Sequence, residues 1–445
     1  MSARVEALAR SPSVRERPWL CLLLSACSGV ALGAAQLTHW LALSAWLGVA
    51  LLSAALSLPA SRRVRLGGTV LSAVVAYLVA FSWMIPCLSR YLGAPAWTAW
   101  LLTGGTAAVA GIVGRAPLHA GAALLRRGAP RWWLPIAWIA GDALLERAFE
   151  FSGGQILYGQ WTVGPVLRLL ALLGWYPTTA LLVFAAAVAG EVTVTRRPRA
   201  LVPLVAICAL LWGLPPASSS DEALRGVGAV HLANITARLG AVPEGVDLLV
   251  WPEGASARRP ALEEGEGPRD ARIDDLPRRH GLEHIIGLAA RSRRGPLNVA
   301  AHVGAEGRIE GVRAKSILVP GYERRLFGLI RVSDGEFVPG EAVPLLESGG
   351  HRIVPLVCYE VFHRPLVERG LAAGGRLLAV MASDRVLLPS AVAQEQYLAA
   401  LVMRSVEYHL PAVRASLWGS AAVVTSDGRV LQRTAPGESG AIQAL

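Results

Sequence analysis

The sequence predicts a chain in two unlike parts: a multi-span α-helical membrane domain over residues 1–218 and an α/β domain over residues 219–445. Three observations carry this. Hydrophobic residues make up 53% of the chain and charged residues only 17%, whereas an ordinary globular chain holds about 45–50% and about 25%. The apolar excess lies almost wholly before Pro215, which points to lipid rather than to an oversized core. From Gly226 onward, short strand-like runs alternate with charged helical stretches, the pattern of a layered α/β domain.

Seven apolar runs qualify as crossings: Trp19–Leu37, Trp40–Leu58, Leu66–Ile85, Trp97–Gly114, Trp132–Ala148, Val166–Gly190 and Leu201–Ala217. A helix needs about 20 residues, within ~17–25, to cross the hydrocarbon core. The first run is followed almost at once by the second and lacks an evident small-residue cleavage site, so it reads as a span and not a removed signal. Asp142 and Glu146 mar the fifth run. Their spacing puts both on one helical face, so the helix can still cross with that face turned to the bundle interior or a hydrated cavity.

Arginine sets the orientation. Arg4, Arg10, Arg15 and Arg17 keep the N-terminus cytoplasmic. The clusters Arg62, Arg63 and Arg65, then Arg126, Arg127 and Arg131, then Arg196, Arg197 and Arg199, fall on that same side if all seven runs cross. Everything after about Ser218 is then extracytoplasmic. This placement also accounts for the net charge of +11, and it sets aside nucleic-acid binding, the usual alternative for so basic a chain.

In the second part, strands are expected at Val227–Ile235, Val246–Trp251, Leu297–Val303, Ile353–Val357 and Leu377–Met381, with a helix at Ala393–His409. Ala421–Leu431 reads as a hairpin around Ser426-Asp427-Gly428. Ala257–Arg279, dense in Arg, Glu and Pro, reads as an exposed loop. Of the five cysteines, only Cys358 lies in this polar part, so no disulfide framework can form within it, and no pair has metal-ligand spacing.

Three reactive side chains each come after an apolar strand-like run: Glu253 in LLVWPEGA, Lys315 in VRAKSILVP and Cys358 in RIVPLVCYE. Singly, each has an ordinary alternative: a surface turn carboxylate, a solvated lysine, a small buried hydrophobe. Together they are the parts for acyl transfer through a thioester. A carboxylate takes the thiol proton, the thiolate attacks a carbonyl, and an ammonium meets the oxyanion. Lys315 and Glu253 are expected to favour the thiolate and lower the thiol pKa. On an extended chain Cys358 and Glu360 would share a face, with Tyr359 opposed.

The order Glu253, Lys315, Cys358, with Glu360 just after the Cys, resembles the nitrilase superfamily; after an apolar half-chain it is most similar to the apolipoprotein N-acyltransferases. The segment Lys315-Ser-Ile-Leu-Val-Pro320 fits that family's Lys-x-x-Leu-Val-Pro, and Glu323 matches the carboxylate that comes next in it. Ser383-Asp384, and Arg404, Glu407, Pro411 and Arg414 followed by Trp418-Gly419, extend the match.

The resemblance implies a nitrilase-like αββα sandwich with Glu253, Lys315 and Cys358 catalytic and Glu323, Tyr359 and Glu360 supporting. It implies an acyl chain taken from a phospholipid and passed to the N-terminal amine of a diacylglyceryl-cysteine lipoprotein, without metal or organic cofactor. The setting would be the bacterial cytoplasmic membrane, with the enzyme acting as a single chain. A membrane-tethered amidase, an acyltransferase for another amine, and a non-catalytic lipoprotein-binding relative stay open. They do so because the sequence departs from the family between Thr236 and Val246, in Arg-Val-Leu-Leu-Pro after Asp384, and in the loop Pro320–Leu326, and it shows no apolar segment before Leu445.

Overall fold

The computed structural model describes residues 17–93, 95–124, 132–195, 213, 221–233, 239, 241–256, 259–264, 281–325, 336–388 and 390–444. The helical part comprises α1 (Pro18–Ala34), α2 (Ser44–Ser57), α3 (Arg62–Ala80), α4 (Met84–Leu92), α5 (Ala96–Gly114), α6 (Ala116–Leu124), α7 (Trp133–Phe149), α8 (Gly164–Leu173) and α9 (Trp175–Thr195). Among the described residues four stretches, His39–Ser57, Arg62–Ala80, Ala96–Gly114 and Trp175–Val194, are long and apolar enough to cross a membrane. Small residues let these helices approach closely, as helices in lipid must when packing alone holds them. A Cβ on Gly190 of α9 would come within 2.0 Å of the Ala50 carbonyl oxygen of α2. Large apolar side chains point outward instead, among them Trp40, Leu43, Trp97, Leu101 and Trp132.

Two of the expected spans differ from these helices. The third run, Leu66–Ile85, breaks at Phe81–Trp83 between α3 and α4. The sixth, Val166–Gly190, is split at Gly174, whose φ of +77° ends α8 and redirects the chain into α9. The seventh, Leu201–Ala217, lies outside the described residues apart from position 213. The two acids of α7 turn inward and each meets an arginine. Arg115 Nη1 lies 2.6 Å from Asp142 Oδ1, and Arg364 Nη2 lies 2.9 Å from Glu146 Oε2.

The α/β part is built on β1 (Val227–Leu232), β2 (Leu248–Val250), β3 (Glu283–Ser292), β4 (Gly295–Val303), β5 (Ile309–Ala314), β6 (Leu346–Ser348), β7 (His351–Val357), α10 (Arg364–Ala372), β8 (Leu377–Ser383), α11 (Ala391–Tyr408), β9 (Ala412–Leu417), β10 (Ala422–Val424), β11 (Val430–Arg433) and β12 (Gly440–Gln443). The strands form one sheet in the order β5-β4-β3-β2-β1-β9-β8-β7-β6, with β10 on β9 and β12 on β1. From β3 through β7 along this path the neighbours β3-β2-β1-β9-β8-β7 are parallel. β4 is antiparallel to both β3 and β5, so β5 runs with the parallel set.

The sheet curls until its two halves face each other. Ala229, Val250, Ile285 and Ala300 from one half share a core with Ile353, Met381 and Val413 from the other. A second core joins the parts of the chain: Leu157, Tyr158, Trp175 and Val183 pack in one cluster with Leu356, Val361, Leu378 and Leu401.

All five expected strands, the helix and the hairpin are present, with shifted ends. The expected loop Ala257–Arg279 falls largely outside the described residues. Its described portion is tied down, since Leu262 is buried and Ala261 bridges to Arg291.

Candidate active site

Because β2, β5, β7 and β8 run the same way, the residues at and beyond their C-terminal ends collect on one edge of the sheet, where ligands bind in such folds. Glu253 comes after β2, Lys315 after β5, Cys358 after β7, and Ser383 closes β8. Gly287 makes room for the first. A Cβ there would lie 2.6 Å from Glu253 Cα, so only glycine lets this turn cross β3.

Cys358 sits at φ +53°, in the left-handed region that costs a side-chain-bearing residue about 1–3 kcal/mol. It opens a 3-10 turn, Cys358–Phe362, instead of continuing the strand. The expectation that Cys358 and Glu360 share one face of an extended chain therefore does not hold: the alternation stops where the backbone reverses. Glu360 is instead fully buried beneath the turn, where its carboxylate accepts from both terminal nitrogens of Arg313 and from the backbone N–H groups of Ser316, Ile317 and Val357, the last at 2.8 Å. Burial opposes its charge, but Arg313 and these donors hold the carboxyl below the usual glutamate range. Glu360 thus clasps the Lys315 segment to the Cys358 turn. Tyr359 lies flat against Phe151 of the helical part, ring centroids 5.2 Å apart.

Lys315 is almost wholly buried, and it is the only lysine in the chain. Its ammonium lies 2.7 Å from Glu323 Oε2 and 3.8 Å from Glu253 Oε1. Burial works against the charge, yet Glu253 and Glu323 together raise its pKa above the ordinary lysine value, so it remains an ammonium. Glu323 is itself fixed by the Val319 N–H at 2.8 Å. Glu253 receives the Ser383 N–H at 3.2 Å.

The thiol behaves differently from the sequence expectation. Burial, then the charge of Glu253, push the Cys358 pKa up, and Lys315 offsets this only in part. Burial also raises the Glu253 carboxyl, against the pull of Lys315. The expected lowering fails because burial, and then the charge of Glu253, outweigh the pull of Lys315. The raised pKa keeps the proton on the Cys358 thiol at rest. A base, a nucleophile and a fixed cation converging on one edge can perform stepwise acyl transfer.

Two neighbours are not marked out by the sequence pattern. Asn298 of β4 donates to Glu253 Oε1 at 2.6 Å and Glu323 Oε1 at 2.8 Å, bridging the two carboxylates. Its one signal is that of a lone amide within the apolar run Leu297–Val303. Tyr397 of α11 is buried near Cys358, burial and then the charge of Cys358 raising its phenol pKa, and nothing in the run around it singles it out. Asp384 is committed elsewhere, accepting from Arg414 Nη2 at 2.7 and 2.8 Å and from Ser416. Among the described residues no group of three His, Cys, Asp or Glu is placed to hold a metal ion.

The profile of the carbon-nitrogen hydrolase family matches residues 205–445, more than half of the chain. The protein belongs to this family. The chain is similar to curated relatives named apolipoprotein N-acyltransferase. That of Geobacter metallireducens is 31% identical over 195 residues, covering 41% of this chain and 37% of the relative. That of Azotobacter vinelandii is 29% identical over 334 residues, covering 66% of this chain and 63% of the relative, so that match extends into the helical part. In both cases the chain spans less than two thirds of the relative's length. Among solved structures, an amidase from Nesterenkonia sp. aligns with 49% of this chain and 89% of its own, at 19% identity and a TM-score of 0.35.

Proposed function

We propose that this carbon-nitrogen hydrolase family member is a membrane N-acyltransferase that moves a fatty acyl chain from a phospholipid, through a thioester on Cys358, to the N-terminal amine of a diacylglyceryl-cysteine lipoprotein. In this reading residues 1–218 cross the bacterial cytoplasmic membrane about seven times. Residues 219–445 form an αββα domain on the extracytoplasmic side, and the enzyme works as a single chain without a cofactor. The outward tryptophans and leucines of the helical part and its four long apolar helices support the membrane setting. The names of the relatives support the acyl acceptor.

One observation supports the chemistry: Glu253, Lys315 and Cys358 follow the C-terminal ends of β2, β5 and β7 on one sheet edge, with Lys315 at 3.8 Å from Glu253 and 2.7 Å from Glu323 and Asn298 bridging the two carboxylates. Glu253 removes the thiol proton as Sγ attacks the ester carbonyl, and the Lys315 ammonium meets the developing oxyanion. Collapse breaks the ester C–O bond. Glu253 returns the proton to the departing alkoxide, which leaves as lysophospholipid. The acceptor amine then attacks the thioester carbonyl, Glu253 takes its proton, the C–S bond breaks, and the proton passes back to the Cys358 thiolate. The product is an amide and the enzyme is restored.

The test is to incubate the purified protein with a phospholipid and a synthetic diacylglyceryl-cysteine peptide and to analyse the products by mass spectrometry. N-acylated peptide with an equal amount of lysophospholipid is the expected result. Free fatty acid in place of acylated peptide would make the protein a hydrolase.

A further inference from the structure

The helical part and the β10–β11 hairpin leave a cavity of about 580 Å³ between them. Trp161, Leu167 and Arg168 line it on the helical side, Leu398 of α11 lies beneath, and Arg429 and Arg433 stand on the hairpin side. Neither Glu253, Lys315 nor Cys358 lines it. Its volume is within the ~300–1,000 Å³ of small-molecule sites.

Its walls divide by chemistry, apolar on Leu167, Leu398 and Val430 and cationic on the arginines. Asp427 engages Arg429 through Nε at 3.1 Å, and Glu395 engages Arg433 through Nη1. Each contact uses one edge of a guanidinium. The terminal nitrogens of Arg429 have no protein partner among the described residues.

Trp161, which lines the cavity, belongs to a group of side chains suited to a lipid–water boundary. Trp161 meets His39 edge-on at 5.8 Å, and His39 packs on Trp40, which is 84% exposed. Leu172 of α8 and Leu431 of the hairpin also point outward. Tryptophan is enriched at membrane–water interfaces.

We infer that this seam holds a phospholipid other than the acyl donor. The lipid's phosphate is taken by Arg429 and Arg433, and its chains leave past Leu167 toward the outward face of α8. Guanidinium forks match phosphate oxygens in pairs. The bound lipid fastens the hairpin, and with it the α/β domain, to the bilayer surface. The inference rests on the helical part lying in lipid but not on the acyl-transfer chemistry.

The test uses the full chain, extracted in detergent, stripped of lipid and offered dioleoyl phosphatidylglycerol under native mass spectrometry. Apart from lipid or acyl chain held at the thiol, wild type and Cys358→Ala should each bind one further lipid with equal affinity. Arg429→Gln should weaken binding roughly tenfold, as expected for one lost charge-assisted contact, and Arg429→Gln with Arg433→Gln should weaken it further. If the double variant fails to fold, the single exposed substitution decides. Undiminished binding by Arg429→Gln would overturn the inference. So would loss of the lipid in Cys358→Ala, which places it at the thiol, or displacement by inorganic phosphate alone, which makes the site one for a free anion. Recovery of the wild-type protein from the aqueous fraction without detergent would overturn the membrane setting, and the inference with it.

Discussion

Glu146, on a helix of the apolar part, holds Arg364, which lies just past the Cys358 turn: Arg364 Nη2 is 2.9 Å from Glu146 Oε2, and its Nε is 3.2 Å from both carboxylate oxygens. Arg364 also reaches Glu407 at 3.3 Å, Glu407 pairs with Arg404, and Arg404 donates to Tyr158 at 2.7 Å. Ser152, beside Tyr158, donates to the Phe362 carbonyl at the end of the same turn. The turn that carries the thiol is thus gripped from the helical part through buried polar contacts. Removing one partner of such a pair strands the other.

Glu146→Ala should therefore cost about 3 kcal/mol of stability, at the lower end of the ~3–5 kcal/mol seen for broken buried pairs because Glu407 remains. Acylation should slow with it. Thermal unfolding in detergent checks the first outcome and labelling of Cys358 by a phospholipid the second. A double variant with exchanged charges, Glu146→Arg with Arg364→Glu, should recover part of the loss, whereas a purely steric role for Glu146 predicts none.

Glu360→Gln removes the charge that Arg313 and three backbone donors surround. The folded-state pKa of Glu360 lies below the unfolded value, so its stabilisation is complete above the ordinary glutamate range and is lost as pH falls through the depressed pKa. Wild type should lose stability to acid over that window, and Glu360→Gln should be less stable at pH 7 and flatter below. Denaturant midpoints between pH 3 and pH 7 test this. Parallel curves for the two proteins would count against the clasp.

Alkylation of Cys358 should keep accelerating with pH beyond about 8.5, where an unperturbed thiol is half ionised, because burial and Glu253 raise its pKa. Lys315→Met should move the profile further up, since Lys315 is the neighbouring charge that favours the thiolate. The readout is iodoacetamide modification at Cys358 followed by peptide mass spectrometry. A plateau below pH 8.5 would restore the thiolate resting state.

Asn298→Leu should slow acylation by roughly tenfold to a hundredfold, the value of a hydrogen bond to a charged group at about 1.5–3 kcal/mol. The two carboxylates it bridges lose their common donor. An unchanged rate would show that Lys315 alone suffices to hold Glu253.

The parts legible in the sequence are those with long apolar periodicity or a reactive residue after an apolar run. Val246–Trp251 and Ile353–Val357 announce buried strands, and Glu253 and Cys358 stand just past their ends. β3 and β5 carry no such signal: β3 begins Glu-His and has Gly287 mid-strand, and β5 mixes Glu, Gly and Arg with apolar residues. The positive φ at Cys358 depends on how the turn packs, so its consequence for Glu360 cannot be read from spacing. The thiol pKa departs from expectation for a related reason. Proximity of charges is foreseeable from the motifs, but the burial of the thiol, and the balance of Glu253 against Lys315 beside it, are tertiary facts.

The central claim is that Cys358 carries the acyl group and Glu253 moves its proton. Its most direct measurement is the intact mass of the purified protein after exposure to a phospholipid, then after addition of a diacylglyceryl-cysteine peptide. Wild type should gain one acyl chain, sensitive to hydroxylamine, and lose it to the peptide amine. Glu253→Gln should gain it about 10²–10⁴-fold more slowly, and Cys358→Ala should never gain it. An adduct of the same yield in Cys358→Ala, or one that the peptide amine does not discharge, would contradict the account.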